Sequence, residues 1–143
     1  MIVPDVNLLI YAVNRAAPLH KKAYSWLEEA IAGPDTVGLP WNVLLAFLRL
    51  TTRRGPLSHP LSLAQSLDLV DAWLSLPSVT IVHPGPRHAR LLRDLLEPWG
   101  AGGNLTSDAH LAAIAIEHGA ELCSSDSDFA RFAGLRWRNP LDG

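Results

Sequence analysis

The sequence predicts an α/β layered domain with a mainly parallel central sheet. Short apolar runs of strand length alternate with segments of helical periodicity from one end of the chain to the other. That alternation argues for β–α–β units, whose strands pair in parallel. Proline and glycine (11 and 10) are spread between these segments as punctuation and form no linker. A chain of 143 residues with 48% hydrophobic content fits one core of ordinary size, so a single domain over residues 1–143 is expected.

Met1 to Val3 reads as a short buried strand ending at Asp5, and Val6 to Val13 as a helix. Pro18 to Ile31 is a clearer amphipathic helix, with Leu19, Ala23, Trp26, Leu27 and Ala30 on one face. Gly33-Pro34-Asp35 is a turn before a strand over Thr36 to Leu39. Pro40 suits the first turn of the next helix, where its missing N–H has no partner to lose. That helix, Trp41 to Thr52, is apolar nearly all round, which predicts core or interface. Ser62 is placed to cap Leu63 to Leu76, a helix that stops before Pro77. A strand over Val79 to Val82 and a helix over Pro86 to Leu96 follow. Trp99 to Asn104 is a glycine-rich loop, and Leu105 to His118 a helix closed by Gly119. The chain ends with a strand over Glu121 to Ser124, a short helix over Asp126 to Phe132 and a strand over Leu135 to Arg138.

Composition excludes several classes. The apolar fraction is too high and the net charge of −2 too small for a disordered chain. Cys123 is the only cysteine, so no disulfide framework exists within the chain. The longest apolar runs, Val43 to Leu48 and Leu111 to Ile116, fall far short of a bilayer crossing. Met1 to Asp5 lacks the basic start of a signal peptide, so a cytoplasmic protein is expected. The balance of charge offers no hint of a polyanionic partner, yet ten of the twelve basic residues are arginine. They fall mainly in three groups, Arg49/Arg53/Arg54, Arg87/Arg90/Arg93 and Arg131/Arg136/Arg138. A guanidinium presents a planar fork suited to phosphate.

In a parallel sheet, ligands bind beyond the carboxyl ends of the strands. Asp5 stands at such an end. Asp126 and Asp128 follow the strand that closes near Ser124, and Asp108 lies in the first turn of the helix after the glycine-rich loop. Four of the nine aspartates can thus gather in one cleft. Crowded carboxylates repel one another, and a hard divalent cation, Mg²⁺ or Mn²⁺, resolves the repulsion. Such a site can polarise a phosphodiester, make a hydroxide and stabilise the leaving oxygen. Each aspartate also has a plainer role. Asp5 and Asp126 are placed to cap helices, and Asp108 to complement a helix dipole. His110, two residues from Asp108, points about 200° away from it around the helix. Cys123 falls in a buried strand, where cysteine acts as a small hydrophobe.

Asp5-Val6-Asn7, Ser107-Asp108-Ala109-His110-Leu111-Ala112 and Ser124-Ser125-Asp126-Ser127-Asp128-Phe129, in that order and spacing, resemble a PIN domain, and more closely the VapC-type toxins of bacterial toxin–antitoxin pairs. The likeness runs from Met1 to Leu141. It implies a three-layer α/β sandwich around a parallel sheet and a Mg²⁺- or Mn²⁺-dependent endoribonuclease. It also implies a homodimer, held in check by a small antitoxin that covers the active groove and binds DNA. Carried over by position, Asp5, Asp108 and Asp126 are the metal-ligand carboxylates, and Asp128 is a further ligand or a supporting acid. Asn7 and Ser124 are then polar supports. The sequence departs from the family at the third helix, where a Glu-x-x-Arg pattern is usual. The matching stretch is Ala46-Phe47-Leu48-Arg49, so Arg49 is kept, as a candidate phosphate or aspartate partner, and the acid is alanine. Asn42, four residues earlier on the same face, offers an amide oxygen. Glu117 points to the opposite side of its helix from Asp108 and is a poor substitute.

Three functional expectations follow. The leading one is a metal-dependent endoribonuclease toxin, in which the arginine groups supply contacts to RNA phosphate. The second is a catalytically weakened PIN-fold protein that binds RNA or antitoxin. The third is a phosphoaspartate enzyme with Asp5 as nucleophile. It ranks last because the only lysines, Lys21 and Lys22, lie early on the second helix.

Overall fold

The computed structural model describes residues 1–142. Five strands, β1 (Ile2–Pro4), β2 (Val37–Pro40), β3 (Val79–Val82), β4 (Glu121–Cys123) and β5 (Trp137–Arg138), form one sheet in the order β3-β2-β1-β4-β5. Every pairing is parallel. Pro4 stands opposite Cys123, and Pro40 opposite Val82. Six α-helices connect the strands: α1 (Val6–Val13), α2 (His20–Ala32), α3 (Trp41–Thr51), α4 (Leu63–Leu74), α5 (His88–Leu96) and α6 (Leu105–Glu117). The expected α/β fold with a parallel sheet is the one found.

The chain first steps from β1 outward to β2 and β3, then returns to β4 on the other side of β1. Right-handed crossovers therefore put α1–α4 on one face of the sheet and α5–α6 on the other. The packing agrees, since α1 touches α2 and α3, α3 touches α4, and α5 touches α6. The reversal between β1 and β4 opens a crevice at their carboxyl ends, the usual ligand position in such sheets.

The core fills both faces. Val3, Leu8, Leu9, Val37, Leu39, Leu44, Phe47, Ile114 and Leu122 are almost wholly buried. Phe47 of α3 meets Trp73 of α4 edge to face, with ring centroids 4.9 Å apart. A buried hydroxyl pair, Thr51 and Ser66 at 2.8 Å, joins the same two helices. Leu105, Ala109 and all of Leu111 to Ala115 are buried, and the alanines let α6 lie close to the sheet. Gly38 in β2 is required by space: a Cβ there would meet Val82 Cγ1 at 3.0 Å and Met1 Sδ at 3.1 Å.

Several boundaries differ from expectation for local reasons. α2 begins at His20, not Pro18, because Leu19 at its start has no capping side chain. α4 ends at Leu74, not Leu76, where the Ser75 hydroxyl donates to the Ala72 carbonyl. α5 starts at His88, after Pro86 and Arg87. The short helix expected after β4 is present as a 3₁₀ helix over Ser127–Arg131, capped by Asp126 and Phe132. α3 is buried on one side through Val43, Leu44, Phe47 and Thr51, while Trp41 and Leu45 are 42% and 55% exposed.

Candidate active site

Asp5 follows β1 directly and caps α1. Its Oδ1 accepts from the Val6 N–H at 2.8 Å, a bond that fixes the carboxylate over the crevice. Its Oδ2 accepts from the Ser124 hydroxyl at 2.7 Å. Ser124 is fully buried just beyond β4, and its oxygen also accepts from Asn7 Nδ2 at 3.3 Å and from the Asp126 N–H at 3.0 Å. One donated and two accepted bonds use the full capacity of a hydroxyl. The Asp5 N–H donates to the Cys123 carbonyl at 2.8 Å, so backbone and side chain together tie the ends of β1 and β4. Asp126 caps the 3₁₀ helix by accepting from the Asp128 N–H at 2.9 Å. The capping roles expected of Asp5 and Asp126 are therefore real. They aim the carboxylates and leave each further lone pairs for a ligand.

Asp108 enters from the first turn of α6. Its pKa is pushed from 3.8 up to about 6, first by burial and then by the negative charges of Asp5 and Asp126. Burial also raises the Asp5 carboxyl, against the bonds from Ser124 and Val6, and the charge of Asp126 adds to the rise. The three acids expected to share a cleft thus feel one another's charge. Asp128 lies at the rim, with its side chain 65% exposed.

The donor set suits a hard divalent cation. Two further oxygens, Asn7 Oδ1 and Asn42 Oδ1, are buried without a hydrogen-bond partner among the described residues. Buried amide oxygens in that condition are rare. Asn42 lies in the first turn of α3, just past the carboxyl end of β2, and Ala46 follows one turn later, half-buried. Among the described residues, no three Asp, Glu, His or Cys side chains converge tightly enough to enclose an ion by themselves. Mg²⁺ needs only one or two carboxylates and keeps several waters, so an open acidic cleft fits it.

Other residues are engaged elsewhere. Arg49 is exposed in the last turn of α3, and no acid among the described residues lies within salt-bridge reach of it. Glu117 accepts from the N–H groups of Gly85 and Arg87 at 2.7 and 2.9 Å. His110 Nδ1 lies 2.9 Å from His88 Nε2 across the α5–α6 contact. Cys123 is buried in β4, and burial pushes its thiol up to about 12. Arg131 was not singled out by sequence reasoning, yet its Nη2 lies 3.5 Å from Asp128 Oδ2 and 4.0 Å from Asp108 Oδ2. The available signal was its place three residues after Asp128, at salt-bridge spacing on a helical turn. Its companions point away: Arg136 donates to the Gly119 carbonyl and Arg138 pairs with Glu121 at 2.9 Å.

Comparison with known proteins accounts for this arrangement. The PIN domain family model matches residues 2–135. Ribonuclease VapC37 of Mycobacterium tuberculosis is 46% identical over 140 residues, covering 98% of this chain and 97% of that protein. Ribonuclease VapC33 of the same organism is 44% identical over 141 residues, covering 99% of each. The crystal structure of VapBC2 from Rickettsia felis, bound to a DNA fragment from its promoter, contains a chain of the same fold. Its TM-score is 0.69 at 21% identity, over 97% of this chain and 98% of that one. Full-length identity at this level, together with acids gathered where β1 and β4 diverge, makes the chain a member of the PIN-domain family and, within it, of the VapC ribonuclease toxins.

Proposed function

We propose that the chain works as one domain that cleaves RNA at the crevice between β1 and β4, with Mg²⁺ or Mn²⁺ held by Asp5, Asp108 and Asp126. Asp128 is a further acid at the rim. The observation that carries this reading is the meeting of three half-buried acids at the carboxyl ends of β1 and β4: Asp5 is tied to Ser124 beside Asp126, and Asp108 is near enough to both acids for their charges to add to the effect of its burial. When bound, the divalent ion supplies Lewis acidity toward the phosphodiester and makes water acidic enough to react near neutral pH.

The protein's own groups supply position. Ser124 and the Val6 N–H hold both oxygens of Asp5, and Asp126 is held by its cap on the 3₁₀ helix. Asp108, raised to about 6, is mainly ionised at neutral pH and would offer a carboxylate oxygen to a bound cation. Asn7 orients Ser124 through Nδ2, and its Oδ1 remains for the ion or an associated water. Arg90 and Arg93 are exposed on α5 and suit RNA phosphates along the approach to the cleft.

A small antitoxin is the expected protein partner, supported by the likeness to the VapBC2 complex. A second copy of the chain is the other, and the exposed Trp41 and Leu45 on α3 suit such a contact. No helix among the described residues is long and apolar enough to cross a membrane.

The decisive experiment incubates purified protein, freed of partner, with structured RNAs and Mn²⁺. Cleavage abolished by Asp5→Ala supports the reading, and intact RNA with both proteins overturns it. A catalytically weakened binder of RNA or antitoxin is the second reading, favoured by Ala46 in place of the family acid. It is supported if Mn²⁺ binds no better to wild type than to Asp108→Asn in calorimetry.

A further inference from the structure

Arg131 closes the 3₁₀ helix, and four contacts fix its guanidinium. Nε–H donates to the Asp128 carbonyl at 3.0 Å. Nη2 lies 3.5 Å from Asp128 Oδ2 and 4.0 Å from Asp108 Oδ2. The guanidinium carbon sits 5.6 Å from the centre of the Phe132 ring, which is itself buried. A side chain held on an aromatic face and by its own helical turn has already lost most of its rotamer freedom, so binding a ligand costs it little more.

This placement is unusual for a cleft that is to receive a cation. A fixed positive charge stands within salt-bridge distance of Asp108, a ligand candidate, and opposes the rise in its pKa. Only Nε and Nη2 have partners among the described residues, so the two Nη1 N–H donors are free. The side chain is 28% exposed, so it is partly accessible to solvent beside Asp108 and Asp128. The Nη1 donors, carried on a permanent charge, can give charge-assisted hydrogen bonds to a phosphate oxygen. The other two arginines of its group are held at the sheet edge.

We propose that Arg131 is the residue that receives an RNA phosphate at the acidic cleft, and that its charge raises the affinity of the free protein for RNA while lowering its affinity for the divalent ion. The inference rests on the reading of the cleft given above. One charge serves opposite ends: it draws the polyanion past four aspartates and weakens the hold of those aspartates on a cation. A residue needed only for folding would weaken both ligands when removed. Arg131 is expected to move them in opposite directions.

The test uses the full chain, with Arg131→Gln and Arg131→Lys. RNA affinity is read by anisotropy with a labelled single-stranded oligoribonucleotide in EDTA, over a series of KCl concentrations. Cation affinity is read by calorimetry with Mn²⁺ alone. For Arg131→Gln, RNA binding is expected to weaken about tenfold. The slope of log K against log salt should shrink by about 0.7, the loss of one phosphate contact on a single strand. Mn²⁺ should bind about threefold tighter or more. Arg131→Lys should keep the salt slope while losing part of the affinity, because the charge remains but the placement given by the Asp128 carbonyl and the Phe132 ring does not. Weakening of both ligands by Gln, or an unchanged RNA affinity and slope, overturns the proposal. Unchanged Mn²⁺ affinity overturns the claim that the charge of Arg131 weakens the cation's hold. Failure of wild type to bind Mn²⁺ at all defeats the reading of the cleft, while the RNA measurements still decide whether Arg131 receives phosphate.

Discussion

The Ser124 hydroxyl donates to Asp5 Oδ2 at 2.7 Å across 119 positions of sequence, and this bond joins the carboxyl ends of the two neighbouring strands, β1 and β4, at the cleft. Ser124→Ala removes it and also leaves Asn7 Nδ2 and the Asp126 N–H without their acceptor. Three buried or half-buried groups lose partners, so unfolding free energy should fall by about 2–3 kcal/mol. The bond lowers the Asp5 pKa, so its loss should raise that pKa further and weaken Mn²⁺ binding at pH 7. Urea melts and calorimetry measure the two effects, and an unaltered Mn²⁺ affinity would show that Ser124 does not position Asp5.

Asp108→Asn is expected to stabilise the protein in EDTA at high pH. The folded pKa of about 6 lies above the ordinary 3.8, so the folded state holds the proton more tightly than the unfolded chain does. Stability from this residue is full below 3.8 and is lost as pH rises to about 6. At pH 8 the asparagine variant, which never ionises, should be more stable by about 1–3 kcal/mol, with the difference vanishing near pH 4. Thermal melts across that range check it, and an Asp108→Asn variant less stable at pH 8 would contradict it.

Ala46→Glu restores an acid one turn beyond Asn42. Mn²⁺ should bind about tenfold tighter, since a carboxylate replaces a methyl group near an oxygen-rich site. The melting temperature in EDTA should fall, because the new charge adds to the repulsion among the acids. If Mn²⁺ affinity does not change, that face of α3 lies outside the ion's reach.

Glu117→Gln separates structural from functional acids. Glu117 holds the backbone entering α5 through Gly85 and Arg87. The variant should melt at a lower temperature and bind Mn²⁺ like wild type. A loss of Mn²⁺ affinity without loss of stability would return Glu117 to the site.

Local signals were readable where short-range chemistry decides structure. α1 spans Val6–Val13 as expected because Asp5 caps it and Leu8, Leu9, Ile10 and Ala12 bury one side. The capping box of Ser62 and Gln65 likewise set the start of α4. The 3₁₀ form of Ser127–Arg131 was not readable, since Phe129 is anchored in a core assembled by distant strands. Asp5, Asp108 and Asp126 were legible as a group from their places after strands and in a first helical turn. The bonds that Ser124 makes were not, because they depend on the β1–β4 pairing. Arg131 was obscured by composition: in a chain whose basic residues are nearly all arginine, one more carries no signal until its neighbours are known.

The strand order delays the formation of the cleft during synthesis. β1 is among the first segments made, but the crevice exists only after β4 has paired beside it. Ser124 and Asp126 leave the ribosome more than a hundred residues after Asp5. A nascent chain therefore carries one of the cleft acids, Asp5, and no cleft through most of its synthesis, since segments emerge from the N-terminus onward. The cleft can therefore assemble only when β4 and the segment after it have been made, a timing written into topology and independent of any inhibitor.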